Sequence, residues 1–207
     1  MTFWYMEQLI IASGNSGKIK EIKEILADLP LNVVSMKELG IDIKFEEIGA
    51  TFSENALIKA KTLSGVVDGI VMADDSGLEI DFLNGAPGIF TARFAGENTS
   101  QEEKNIKIIN LLKGIEKKYR TARFVCAIAV VSKKINFTVE DSVEGLIAEE
   151  PLGTGGFGYD PIFFVPEYGK TFAELPEEIK NKISHRARAL QKLKQKLSAV
   201  YEGRDFT

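Results

Sequence analysis

Two β-rich runs, Arg120 to Val131 and Ile135 to Ile147, follow one another with only Ser132, Lys133 and Lys134 between them. A parallel partner needs a crossover of a dozen or more residues, so runs joined this tightly pair as an antiparallel hairpin turning near Lys133-Lys134. The N-terminal part follows a different pattern. Gln8 to Ala12 is a short apolar run, and Ser13-Gly14-Asn15-Ser16-Gly17 turns the chain. From Lys18 to Leu29, Ile19, Ile22, Ile25, Leu26 and Leu29 recur at helical spacing until Pro30 closes the segment. A strand–turn–helix crossover in the same chain as a long hairpin predicts an α/β fold: a mixed β-sheet with flanking helices.

The other segments fit that frame. Asn32 to Ser35 reads as a strand and Ile41 to Glu47 as a second extended piece. Thr51 to Val67 reads as a helix, with Thr51 standing three residues before Glu54 in a capping box. Ile70 to Ala73 is a short buried strand running into Asp74-Asp75-Ser76-Gly77, a turn composition, and Leu78 to Phe82 a strand before the Asn84-Gly85 turn. Ser100 to Lys118 is a charged amphipathic helix. Gly153 to Asp160 is a glycine-rich loop before a strand at Pro161 to Val165. Pro176 to Val200 is helical, with Ser184 placed to act as a fresh N-cap.

Composition narrows the class. The 207 residues show no linker, repeat or low-complexity segment, so one domain over 1–207 is expected. Hydrophobic residues make up 44%, enough for a core without staples, and the lone Cys126 lies in the apolar run Phe124 to Val131 as a core thiol. An intracellular, cytoplasmic setting fits. A net charge of -4 argues against nucleic-acid partners, and no stretch reaches membrane-span length. The apolar Met1–Met6 is too short for a signal peptide and lacks a cleavage site. An anionic ligand would therefore need a local cationic site, completed by a divalent metal.

Five motifs have chemistry available to them, each with an ordinary structural explanation beside it. Ser13-Gly14-Asn15-Ser16-Gly17-Lys18 opens a helix, where backbone N–H groups and a lysine favour anions; a plain helix-entry turn reads equally well. It is not a Walker loop, since the glycines are too close and Ile19 replaces the hydroxyl residue. Asp74-Asp75 at a strand end suit magnesium, though adjacent strand residues face opposite ways and one of the two would only hold the turn. Glu46-Glu47 offers a second metal carboxylate or merely solvated edge charges. Lys59 follows Asn55 by one helical turn, on the same face. In Gly153 to Asp160, four glycines permit close backbone approach to a ligand, Phe157 and Tyr159 offer stacking faces, and Asp160 an acceptor; a hairpin loop with core aromatics is the plainer reading. Last comes Ser184-His185-Arg186, whose histidine is the only one in the chain, and a lone histidine is more often structural than catalytic.

As a set these motifs resemble the inosine triphosphate pyrophosphatase family, which acts on noncanonical purine nucleotides. The segments that carry the resemblance are SGNSGK (13–18), TFSENALIKA (51–60), ADDSGLEID (73–81), NGAPGIFTARFAG (84–96), GTGGFGYDPIFF (153–164) and SHRARAL (184–190), in family order along almost the whole chain. Met1–Met6 and the tail after Val200 depart from the pattern without touching a motif. The resemblance implies an elongated α/β fold with two lobes around a central cleft, a homodimer, and magnesium-dependent hydrolysis of ITP, dITP or XTP to the monophosphate and pyrophosphate. It implies that Ser13, Gly14, Asn15, Ser16, Gly17 and Lys18 hold phosphates, that Glu46 and Asp75 bind the metal, and that Asp75 also acts as base. Lys59 would neutralise phosphate charge and Ser76 would touch substrate. Phe157, Gly158, Tyr159, Asp160, Lys180, His185 and Arg186 would enclose the base. Two other readings are a nucleotide-binding regulator without turnover, and a pyrophosphatase of modified pyrimidine nucleotides.

Overall fold

The computed structural model describes residues 7–96 and 98–201; the apolar Met1–Met6 and the tail beyond Tyr201 lie outside the described residues. Among these, one sheet runs in the order β2 (Leu31–Ser35), β1 (Glu7–Ile11), β3 (Ile70–Ile80), β4 (Thr121–Val131), β5 (Asn136–Ile147), β6 (Phe163–Val165) and β7 (Lys170–Thr171). β1 is parallel to both β2 and β3, with Leu9 opposite Val33 and Ile70. β6 is antiparallel to β5 and to β7. The sheet is mixed, as the sequence predicts, and open.

Contacts divide the chain into two compact units. The first comprises Met1–Asp75, Ala127–Glu140 and Arg188–Thr207, the second Ser76–Cys126 and Asp141–Ala187. In the first, Leu9, Ile10 and Ile11 of β1 are all buried, as befits a parallel strand flanked by strands on both edges. Helix α1 (Ser16–Ile25) buries Ile22, and α2 (Phe52–Ser64) buries Phe52, Ala56, Ala60 and Leu63. Thr51 caps α2 by accepting from the Glu54 N–H at 3.1 Å. In the second unit, Leu78, Ile80, Phe124, Val143, Tyr159, Phe163 and Phe172 join Ile108 and Leu112, from the last turn and C-cap of α3 (Gln101–Leu111), in one apolar cluster. Cys126 is buried as a free thiol. No helix among the described residues is long and apolar enough to cross a membrane.

Four sequence expectations need correction. Asp74-Asp75-Ser76-Gly77 is not a turn: β3 passes through it without a break from Ile70 to Ile80, and Asp81–Leu83 form a 3-10 turn instead of extending the strand. Residues 41–49 carry no strand among the described residues, although their side chains alternate strictly between half-buried and exposed. Helix α3 stops at Leu111 rather than Lys118, because Leu112 caps it and Gly114 takes a left-handed φ of 81°. The strand expected at Pro161 to Val165 opens as a 3-10 turn over Asp160–Ile162, leaving Phe163–Val165 as β6. The break at Ser184 stands where the sequence puts it, between α4 (Glu177–Ile183) and α5 (His185–Tyr201). The Ser184 hydroxyl accepts from the Ala187 N–H at 3.2 Å, a cap of about 1 kcal/mol.

Candidate active site

The continuity of β3 decides the electrostatics of the first unit. Successive strand residues point to opposite faces, so Asp74 and Asp75 cannot share one partner. Each has its own lysine. Asp74, fully buried, pairs with Lys18 of α1 at 2.9 Å, and Asp75 pairs with Lys59 of α2 at 2.7 Å. Lys59 also reaches Glu47 at 3.2 Å, and Asn55, one turn earlier on the same helix face, donates to the other Asp75 oxygen at 3.2 Å. The i, i+4 spacing of Asn55 and Lys59, legible in the sequence, is what brings both onto one carboxylate.

Burial pushes the Asp75 carboxyl above its ordinary value, although Lys59 and Lys18 pull the other way. Burial also works against the charge on Lys59, but the carboxylates of Asp75, Asp74 and Glu47 outweigh it and hold the ammonium protonated. A carboxylate pushed up by burial thus lies beside a lysine held up by its carboxylates. Nearby, the Asn15 side chain caps α1 by accepting from the Lys18 N–H at 3.1 Å, and Ser13 Oγ accepts from the Asn15 N–H at 3.2 Å. Ser13 to Lys18 therefore form the start of a ten-residue helix, whose N–H groups and dipole favour an anion. A Cβ added at Gly14 would meet nothing within 4 Å, so its approach face is open.

Of the two acidic residues proposed from sequence, Glu46 is exposed, and Glu47 is the one that reaches Lys59. The parity of the alternating segment explains the choice, since odd positions from Ile41 to Gly49 turn inward. Among the described residues no group of three or more His, Cys, Asp and Glu side chains is arranged to hold a metal. Two hard carboxylates suit a magnesium ion, which takes one or two protein carboxylates and draws its other ligands from water and phosphate.

The second unit gathers Ser76, Phe157, Asp160, Lys180 and Arg186. Arg186, in the first turn of α5, donates from Nη2 to Ser76 Oγ at 3.1 Å. The Phe157 ring has the Lys180 ammonium 4.7 Å from its centroid and the Arg186 guanidinium 5.6 Å away, both within cation–π range. His185 is buried and stacks on Phe124, with centroids 4.7 Å apart and planes 13° from parallel. Packing on Phe124 is thus one role of that side chain.

The glycine-rich loop is shaped first by its own chain. Asp160 accepts from the Phe157 N–H at 2.8 Å and from Lys180 at 2.7 Å. A Cβ on Gly156 would collide with the Asp160 carboxylate, and one on Gly153 would lie 2.5 Å from the Ala173 backbone. Tyr159 is buried, donates to the Thr91 carbonyl at 3.0 Å, and has its hydroxyl pushed up to about 12 by burial. Gly158, with a φ of 64°, offers its carbonyl to Asn105 at 3.3 Å. Asp160 and Tyr159, read from sequence as ligand contacts, are tied into the scaffold, and Phe157 carries the loop's cation-flanked ring.

An open mixed sheet with two buried carboxylate–lysine pairs on its third strand, beside a helix N-terminus, defines an α/β protein equipped for a phosphate-bearing ligand. A model of the Ham1 family matches residues 9–196, and the chain belongs to that family. Its relatives include the dITP/XTP pyrophosphatase of Clostridium perfringens, 52% identical over 202 residues, covering 94% of this chain and 99% of the relative. The protein of the same description from Bacillus subtilis is 52% identical over 195 residues, covering 94% and 98%. Among solved structures, the Ham1 protein of Staphylococcus aureus superposes with a TM-score of 0.83 at 42% identity, over 93% of this chain and 99% of the other.

Proposed function

We propose that this chain hydrolyses noncanonical purine nucleoside triphosphates, ITP, dITP and XTP, to the monophosphate and pyrophosphate. The observation that carries the reading is the buried Asp75–Lys59 pair, with Glu47 on the same ammonium and Asn55 on the same carboxylate. Phosphoryl hydrolysis needs a placed water and neutralised charge more than covalent help, and these groups supply both. The names of the relatives agree with it.

In this reading the N–H groups of Ser13, Gly14, Asn15, Ser16 and Gly17, with Lys18, hold the triphosphate. Asp75 orients a water against the α-phosphorus and accepts its proton; the anhydride bond to the β-phosphate breaks, and pyrophosphate leaves. Lys59 balances the charge that builds on the phosphate oxygens. Asp75 and Glu46 would hold a magnesium ion, with Glu47 beside them on the Lys59 ammonium, and that ion would supply further charge neutralisation. Ser76, Phe157, Gly158, Tyr159, Asp160, Lys180, His185 and Arg186 form the base end. There the Phe157 ring stacks on the purine and Arg186 donates to its 6-keto oxygen. Adenine offers an amino donor at that position and would leave a buried donor unpaired, which is the costly case.

The test is pyrophosphate release across ITP, XTP, dITP, ATP, GTP and modified pyrimidine triphosphates, with magnesium, with calcium and with excess chelator. Release from the 6-keto purines that disappears in chelator and is weak with calcium supports the reading. Equal turnover of all bases, or full activity in chelator, refutes it. A homodimer in the cytoplasm completes the proposal, the first checked by sedimentation and the second by fractionation.

A further inference from the structure

Asn55 lies wholly buried in the first turns of α2, and its amide is used at both ends. Nδ2 donates to Asp75 Oδ2 at 3.2 Å, while Oδ1 accepts from the Gly49 N–H at 2.8 Å. The Gly49 end of this bridge belongs to the 41–49 segment, which has no sheet ladder to hold it. Side chains of α2 fasten that segment instead: Asn55 at Gly49 and Lys59 at Glu47 (3.2 Å), with Glu54 holding the Ala50 N–H just beyond it at 2.7 Å. The approach is close enough to require glycine. A Cβ on Gly49 would lie 2.8 Å from Asn55 Oδ1 and from Glu54 Cβ, and 3.0 Å from the Asn55 backbone nitrogen.

We infer that Asn55 is a positioning residue: one buried amide fixes the Glu46–Glu47 segment and the Asp75 carboxylate relative to each other, setting the spacing of the acidic groups offered to a divalent cation. The inference deepens the proposed function and rests on it. An amide suits the task because it gives a donor to a carboxylate and an acceptor to an N–H at once. Aspartate would set a second negative charge against Asp75, and alanine would release both ends. Residues that orient metal-binding carboxylates in this way are typically worth about 10–100-fold in metal affinity or activity.

Two variants attack the bridge from opposite ends, Asn55→Ala in the helix and Gly49→Ala in the segment, so a folding failure of the buried site does not stop the test. Three quantities are read on each: amide hydrogen exchange at Gly49, binding of Mn2+ alone by electron paramagnetic resonance, and magnesium dependence of pyrophosphate release from ITP. Both variants should speed Gly49 exchange at least about tenfold while β1 and β3 amides keep their protection. Both should weaken Mn2+ binding about 10–100-fold and raise the half-saturating magnesium concentration in parallel. Faster exchange with Mn2+ binding within twofold of wild type reduces Asn55 to a loop fastener and overturns the inference. Weakened Mn2+ binding with Gly49 exchange unchanged overturns the bridge, leaving Asn55 acting on Asp75 alone. If the wild type neither binds Mn2+ nor releases pyrophosphate, the proposed function itself fails and takes the inference with it, whatever the exchange data show.

Discussion

Replacing Lys59 with methionine removes a cation and keeps its apolar stem, so the loss isolates the charge. Lys59 and Asp75 have side chains 8% exposed and 2.7 Å apart. With an effective dielectric of about 20, that separation gives roughly 6 kcal/mol of gross attraction. The desolvation cost of the ammonium, several kcal/mol, is recovered when it goes. What remains is the cost of a buried carboxylate stripped of its cation, softened by the Asn55 hydrogen bond. We expect Lys59→Met to lose about 2–4 kcal/mol, or roughly 4–16 °C in Tm for a chain of this size. Lys133 is the control: it pairs with Asp68 at 3.1 Å, but the two side chains are 91% and 94% exposed. Lys133→Met should cost about 0–1 kcal/mol. The double variant Lys59→Met/Asp75→Asn removes the uncompensated buried charge at Asp75, although Glu47 also loses its contact with Lys59, and should recover part of the loss, a coupling of about 1–3 kcal/mol. Urea unfolding of five proteins, the wild type, these three variants and Asp75→Asn, measures each value. Equal losses for Lys59→Met and Lys133→Met, or no recovery in the double variant, would refute the reasoning.

Asp75→Asn should abolish pyrophosphate release while circular dichroism stays native, because the amide is nearly isosteric but carries no charge; near-normal turnover would remove Asp75 from the chemistry. Arg186→Ala should lower the ITP/ATP ratio of kcat/KM by about one to two decades, the worth of one charge-assisted hydrogen bond of roughly 1.5–3 kcal/mol. If both activities fall together, Arg186 serves phosphate or fold. The Glu38 carboxyl is held down to about 2 by hydrogen bonds from Lys23 and then from Ser35. Since its folded value lies below the usual 4.5, the stabilisation is present above that pH and drains away as pH falls toward 2. Glu38→Gln should therefore be less stable than wild type at pH 7, by a margin that closes between pH 4.5 and 2 in urea unfolding.

The sequence shows where elements lie more readily than what holds them. Asp74 to Gly77 is turn-like by local preference, and nothing local says otherwise. β3 continues through it past the end of β1, which pairs only with Ile70 to Met72, and lysines from two different helices meet its carboxylates. Periodicity over 41–47 is real, yet alternation reports which side chains are covered and not whether a ladder exists; the same parity, carried through, separates Glu47 from Glu46. The glycines of 153–158 are legible as a close approach but not as to what approaches. Their neighbours turn out to be Ala173 and Asp160, distant or oriented in ways spacing does not encode. The Ser184 cap and the shared face of Asn55 and Lys59 were readable because each depends on residues within one helical turn.

Neither compact unit is a continuous piece of chain, and this fixes an order of completion during synthesis. The unit that contains β1 waits for Arg188–Thr207, whereas the unit whose first residue is Ser76 has all its parts by Ala187. The half of the protein begun later is finished earlier. At roughly 5–20 residues per second, Leu9, Ile10 and Ile11 emerge on the order of 10 s before the last segment of their own unit leaves the ribosome. For that interval β1 has its sheet partners but not the helical segment that completes its unit, and truncation before Arg188 would remove that segment altogether.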